Sequence, residues 1–232
     1  MNIYAHRGLH DNKKIVENTI KAFHNAIDNN INIELDIRVT KDKKIVVFHD
    51  ANIKRLTGID KKVSNLTYKE LSNIKLLEKD EVIPLLEDVL KIVKGKVSLL
   101  IEIKEMFSFE VLKELDSLLL DYNGKVLFQS FNPFLLRKMA FMSLKRYRLG
   151  ILLSNKYNGL KEAIYDAYIY KYLIKKKYCS FVSSPKDLSI KVKEKINKEL
   201  FIWTIKTKEE FMLYKKYSNN LICEEKGIVK DF

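Results

Sequence analysis

Proline and glycine are scarce, with 3 and 7 residues in a chain of 232. Neither gathers into a linker, and no internal repeat or low-complexity tail interrupts the pattern, so residues 1–232 read as a single domain. The two cysteines, Cys179 and Cys223, stand far apart without metal-type spacing. That excludes a disulfide framework and a thiolate zinc site, and it predicts reduced, buried thiols. No stretch approaches the ~20 consecutive apolar residues of a membrane span, so no integral membrane segment is expected. Acidic residues are in deficit, 30 against 43 basic, giving a net charge of +13. The lysines are scattered among isoleucine, asparagine and tyrosine, not gathered into a patch, so the surplus predicts attraction of small anions and no nucleic-acid partner.

Short β-like runs alternate with helix-length amphipathic segments, the signature of parallel βαβ units. Strands are predicted near 2–6, 31–37, 98–103, 126–130, 148–152, 179–183, 200–204 and 221–224. Helices are predicted near 17–29, 84–94, 107–121, 132–144, 157–176, 187–197 and 207–217. The count and the length suit an α/β fold, a single (β/α)8 TIM barrel. Asn132-Pro133 and Ser184-Pro185 look like helix starts with proline in the first turn. The polar turn Thr40 to Lys44, returning into Ile45-Val46-Val47-Phe48, predicts an extra β-hairpin after strand 2. Residues 51–83 form a small insertion with a short helix from Thr67 to Leu71, capped by Thr67 with Glu70 three residues on. Ile164, Tyr168 and Tyr172 recur every four residues. That spacing favours a helix packed on the barrel over a membrane-surface contact for the Tyr- and Lys-rich 165–178 segment.

In Ile33-Glu34-Leu35-Asp36-Ile37 the period of two puts both carboxylates on one face and three aliphatics on the other. A strand interior does not hold two ionised acids unpartnered, so either a cation or a basic residue such as Arg38 is required. Ile101-Glu102-Ile103-Lys104 repeats the alternation. It supplies Glu102 as a third metal ligand and Lys104 as a cation for a phosphate oxygen or a partner for Glu102. Ligands of oxygen alone suit Ca²⁺ or Mg²⁺ and argue against zinc. His6 and His49 each end a β-like run and stand beside Arg7 and Asp50, so they are the candidate catalytic pair, one giving and one taking a proton. Arg7 offers a planar fork to a phosphodiester, and Gly8 lets the backbone approach. Glu17 and Asn18 are expected to begin a helix whose positive end faces the site, as substrate-binding residues or simple caps. Asp50 orients its neighbour or serves a turn, and His10 and His24 are expected at the surface. With His6 so near the start, no cleavable signal is expected, and the predicted location is cytoplasmic.

These motifs, HRG at 6–8, ENT at 17–19, ExD at 34–36, HD at 49–50 and ExK at 102–104, occur in the order of the glycerophosphodiester phosphodiesterase family, which the chain resembles over nearly its whole length. Residues 83–90, Ser130-Phe131 and Trp203-Thr204 resemble further family segments. Val16 departs from a usual proline, Lys206 from an asparagine and Cys223-Glu224 from a Thr-Asp. The resemblance implies a small-molecule glycerophosphodiester substrate, split to sn-glycerol 3-phosphate and an alcohol with a divalent cation bound. It also implies that Trp203 contacts the glycerol carbons, core packing being the other role open to it. A lysophospholipase D acting on lysolipids and a non-catalytic anion-binding barrel are the competing expectations.

Overall fold

The computed structural model describes residues 1–154 and 178–224. Eight parallel strands close into a barrel: β1 (Asn2–Ala5), β2 (Asn32–Val39), β4 (Leu99–Ile103), β5 (Val126–Ser130), β6 (Arg148–Leu152), β7 (Phe181–Pro185), β8 (Glu199–Ile205) and β9 (Asn220–Cys223). Closure comes from β1, which pairs with β9 on one side and with β2 on the other. The ninth strand, β3 (Ile45–Val47), runs antiparallel to β2 outside the barrel, so the expected hairpin forms. The expected helix at 157–176, with Ile164, Tyr168 and Tyr172, lies outside the described residues.

The barrel helices are α1 (Ile20–Asp28), α4 (Leu86–Val93), α5 (Phe109–Leu118), α6 (Pro133–Ala140), α7 (Lys186–Lys195) and α8 (Lys208–Tyr214). The insertion carries α2 (Lys54–Thr57) and α3 (Tyr68–Leu71). Local chemistry sets their starts. Thr67 and Glu70 form the expected reciprocal cap of α3, and Asn132 caps α6 with proline in the first turn. Two starts differ from expectation. Thr19, not Glu17, caps α1 by accepting from the Ala22 amide, and Asn18 sits at φ 55°, outside any right-handed helix. Pro185 ends β7 and itself occupies the cap position of α7, because the strand extends two residues further than its apolar run.

Three apolar clusters follow from the strand alternation. Ile33, Leu35 and Ile37 face outward with Phe23, Val89 and Leu112 in the layer under the helices. Tyr4, Leu100, Leu127, Phe181, Phe201 and Ile222 fill the barrel interior. A separate satellite core joins Val16, Val46 and Phe48 to Ile53, Leu56, Leu71 and Ile83 of the insertion. The insertion is therefore not patternless packing on the surface but a small folded unit fastened to the hairpin.

A candidate cation and phosphate site at the barrel mouth

The inward residues of β2 and β4 become acidic above the apolar plug. Glu34, Asp36 and Glu102 are all buried, and one oxygen from each lies within 4.8 Å of the others. The register explains the convergence, because Asp36 pairs with Glu102 across β2 and β4. A polar ladder continues sideways: the Ser183 hydroxyl donates to Gln129 Oε1 at 2.8 Å, and Gln129 Nε2 approaches Glu34 Oε1 at 3.5 Å. Sequence reasoning passed over Gln129, although it shares the inward face of β5.

His6 follows β1, its amide held by the Cys223 carbonyl at 2.8 Å. His49 arrives by a different route. The hairpin return sets the Phe48 amide on the Asp36 carbonyl at 2.9 Å, and Arg38 grips the His49 carbonyl with Nε and Nη2 at 2.9 and 2.8 Å. Arg38 thus serves the backbone of the histidine and an ion pair with Glu105, leaving the acid triplet to other cations. His6, Arg7, Glu34, His49, Glu102, Lys104 and Trp203 line one cavity of 640 Å³ at the C-terminal ends of the strands. The Phe131 ring meets Trp203 edge-on at 5.9 Å, forming its apolar wall.

Glu17 and Asn18 do not line the cavity; they stand behind it. Asn18 Nδ2 donates to Asp36 Oδ2 at 2.9 Å. Glu17 takes Arg7 Nη1 at 2.7 Å and Arg55 Nη2 at 2.6 Å. Arg7 also places Nε 3.5 Å from Asp36, and its amide donates to Glu34 Oε2 at 2.9 Å. Lys104 lies 2.5 Å from Glu102 and 3.4 Å from Asp36, so its role as a partner for Glu102 is realised. His10 is a correction. It is buried, not at the surface, because the loop after Gly8 folds back onto α1, where the Leu9 amide bonds to the Ala22 carbonyl. His24 is exposed as expected, and Cys179 and Cys223 are buried free thiols.

The electrostatics favour an added cation. Burial, then the charges of Asp36 and Glu102, push the Glu34 carboxyl well above its ordinary range. Burial and Asp36 likewise raise Glu102 to about 7, against the pull of Lys104. Asp36 is held low despite burial, by Lys104, His49 and Arg7. Among the described residues the ion pairs set four carboxylates, Glu17, Asp36, Asp50 and Glu102, against three fixed cations, Arg7, Arg55 and Lys104, while Glu34 is met by the Arg7 amide and Gln129, so full ionisation of the acids would leave a deficit of positive charge. An all-oxygen triplet with that deficit fits a hard divalent ion. Burial and the Arg7 charge push the His6 imidazole down to about 3, and burial also lowers His49. Both shifts favour the uncharged ring while the site holds neither cation nor substrate.

Fold and site together define an α/β barrel with a buried carboxylate triplet that could hold a cation and two histidines at its mouth. The sequence matches the glycerophosphoryl diester phosphodiesterase family over residues 6–224, and the chain belongs to that family. It is 35% identical over 162 residues to a glycerophosphodiester phosphodiesterase of Caldanaerobacter subterraneus subsp. tengcongensis. That match covers 65% of this chain and 65% of the relative, so the chain spans less than two thirds of that relative's length. Among solved structures it resembles a Thermotoga maritima glycerophosphodiester phosphodiesterase, with 27% identity, TM-score 0.74 and coverage of 99% and 96% of the two chains. An Oleispira antarctica phosphodiesterase, solved with the product sn-glycerol-3-phosphate, shares the fold at TM-score 0.78 and 18% identity, over 100% and 96% of the two chains.

The departures from the family pattern have local reasons. Val16 keeps an amide that a proline would lack, and that amide donates to Glu81 of the insertion at 3.3 Å. Lys206 and Glu224, which stand where asparagine and aspartate are usual, pair with each other at 2.9 Å.

Proposed function

We propose that the protein is a divalent-cation-dependent phosphodiesterase, one domain over residues 1–232. It hydrolyses glycerophosphodiesters to sn-glycerol 3-phosphate and an alcohol in the cytoplasm. The observation that carries this reading is the convergence of three buried carboxylates within 4.8 Å of one another in a cavity that also presents two imidazoles, Arg7 and Lys104. Glu34, Asp36 and Glu102 would hold Ca²⁺ or Mg²⁺, which when bound supplies positive charge for the phosphoryl oxygens.

This chain's residues do the rest. Lys104 and the outer edge of Arg7 counter the negative charge that develops on phosphorus. One imidazole accepts the proton of the attacking oxygen, from water or from the 2-hydroxyl of the glycerol. The other, entering as imidazolium, delivers a proton to the departing alkoxide as the new P–O bond forms and the old one breaks, and the negative charge of the bound phosphodiester favours that protonated ring. His49 suits such work because Asp50 holds Nδ1 at 2.7 Å, which leaves Nε2 for exchange. Trp203 and Phe131 offer an apolar surface for the glycerol carbons. The cytoplasmic assignment is supported by two buried, unpaired thiols. Among the described residues no helix is long and apolar enough to cross a membrane.

The test is a coupled assay for glycerol 3-phosphate on glycerophosphocholine and glycerophosphoethanolamine, together with an assay for choline released from a choline lysolipid, each with and without chelator. Release from the water-soluble diesters, abolished by chelator and restored by Ca²⁺ or Mg²⁺, is expected. Turnover of the lysolipid alone would assign a lysophospholipase D. Binding of glycerophosphocholine with no release would leave an anion-binding barrel.

A further inference from the structure

Arg55 sits on α2 in the insertion, where the neighbouring Leu56 is buried in the satellite core. Its guanidinium addresses two carboxylates from different parts of the chain. Nη1 and Nη2 reach the two oxygens of Glu17 at 3.1 and 2.6 Å, while Nε reaches Asp50 Oδ2 at 2.6 Å. Each carboxylate passes the constraint on. Glu17 Oε1 also accepts Arg7 Nη1 at 2.7 Å, and Asp50 Oδ1 holds His49 Nδ1 at 2.7 Å. Arg7 and His49 then both face the cavity.

The two arms come from separate foundations. Arg7 follows a barrel strand, whereas His49 rides on a hairpin whose outer strand lies outside the barrel. A planar fork with donors at fixed angles can hold both carboxylates at once, and a single ammonium cannot reproduce that geometry. Asn12 gives Glu17 a further donor at 2.9 Å, so the Glu17 arm has support besides Arg55. The Asp50 arm depends more heavily on it. Burial alone would raise both carboxyls, but Arg55, joined by Arg7 and Asn12 at Glu17 and by His49 at Asp50, outweighs it and holds both low, Glu17 at about 2.

We propose that Arg55 is a positioning residue that fixes Arg7 and His49 relative to each other through Glu17 and Asp50. The inference rests on the phosphodiesterase reading for its kinetic consequence, but its geometry can be tested without turnover. A clamp serving stability alone would alter the folded fraction and leave the His49 ring as it is.

The experiment compares Arg55→Ala and Arg55→Lys with wild type in two measurements. The first is kcat and KM for glycerophosphocholine with saturating Ca²⁺. The second is the long-range ¹H–¹⁵N spectrum of the histidine rings, with His49 assigned from His49→Ala. Arg55→Ala should lower kcat by about 100-fold with KM nearly unchanged, and Arg55→Lys should remain about 10-fold down because charge without the fork does not restore both arms. In both variants the His49 signal should move from one tautomer to an average of two. The Ca²⁺-induced rise in Tm should match wild type, since Arg55 has no contact with Glu34, Asp36 or Glu102 among its hydrogen bonds and ion pairs. Wild-type kcat in either variant, or an unchanged His49 signal, overturns the proposal. If Arg55→Ala does not fold, Arg55→Lys supplies both readouts. If wild type releases no glycerol 3-phosphate, the functional reading fails, and the ring spectra alone then decide whether Arg55 positions His49.

Discussion

Asp50 Oδ1 lies 2.7 Å from Nδ1 of His49, and no intervening residue separates the two in the chain. A carboxylate on Nδ1 selects the tautomer with a proton on that nitrogen and directs exchange to Nε2. His49→Ala should therefore lower kcat by about 10²- to 10⁴-fold while the far-UV circular dichroism stays that of the wild type. His6→Ala should do the same. Near-normal turnover in either variant would remove that imidazole from the mechanism.

Cation binding at the acid triplet, as proposed, should depend on pH in a defined direction. Glu102 is raised from 4.5 to about 7 in the folded protein. Between those values the folded chain keeps a proton that the unfolded chain has released, so stability of the cation-free protein falls as pH climbs from 4.5 to 7. A divalent ion competes with that proton. The rise in Tm on adding Ca²⁺ or Mg²⁺ should accordingly be larger at pH 8 than at pH 5.5, as read by scanning calorimetry. Equal rises at the two pH values would show that Glu102 does not bind the ion.

His6 gives the opposite slope at lower pH. Its folded value is depressed to about 3 against 6.5 unfolded. As pH falls through that window the unfolded chain takes up a proton the folded chain refuses, and stability is lost. His6→Asn in the presence of chelator should flatten the fall in stability between pH 6.5 and 4, measured by urea denaturation. An unaltered slope would mean that the ring is hydrated in the folded state.

Gly8 occupies φ +80°, and a Cβ built there would meet Ala22 Cβ at 2.9 Å and Phe23 Cδ1 at 3.0 Å. Both the backbone angle and the approach of α1 demand a residue without a side chain. Gly8→Ala should cost about 1–3 kcal/mol in urea denaturation, with activity per folded molecule also reduced because Arg7 precedes it. A cost below ~0.5 kcal/mol would show that α1 can move aside.

The barrel was legible because its strands carry their own phase. Glu34 and Asp36 alternate with three aliphatics, Glu102 and Lys104 repeat the device, and a period of two assigns inside and outside without knowledge of the partners. Helix ends were less legible, since the apolar period of α1 runs on into residues that the left-handed Asn18 takes out of the helix. Residues whose roles depend on distant chain crossing were not legible at all. Arg55 is one of many basic residues, and nothing in Lys54-Arg55-Leu56-Thr57 marks it except that it follows Asp50 by five positions. His10 was misplaced for a related reason: a polar neighbourhood in sequence says nothing about which side of a returning loop faces α1.

The insertion is built on the satellite core, which also takes Val46 and Phe48 of the hairpin, while Ile45 and Val47 pack in the main core, so His49 follows a segment shared between the two. One of the two imidazoles proposed to move protons thus leans partly on a lightweight annex, while the other is rooted in the main wall. Heating should detach the annex first. Enzymatic shutdown would then occur at a temperature where the eight-stranded frame is still upright, and cooling from that point should bring turnover back without any need to rebuild the barrel.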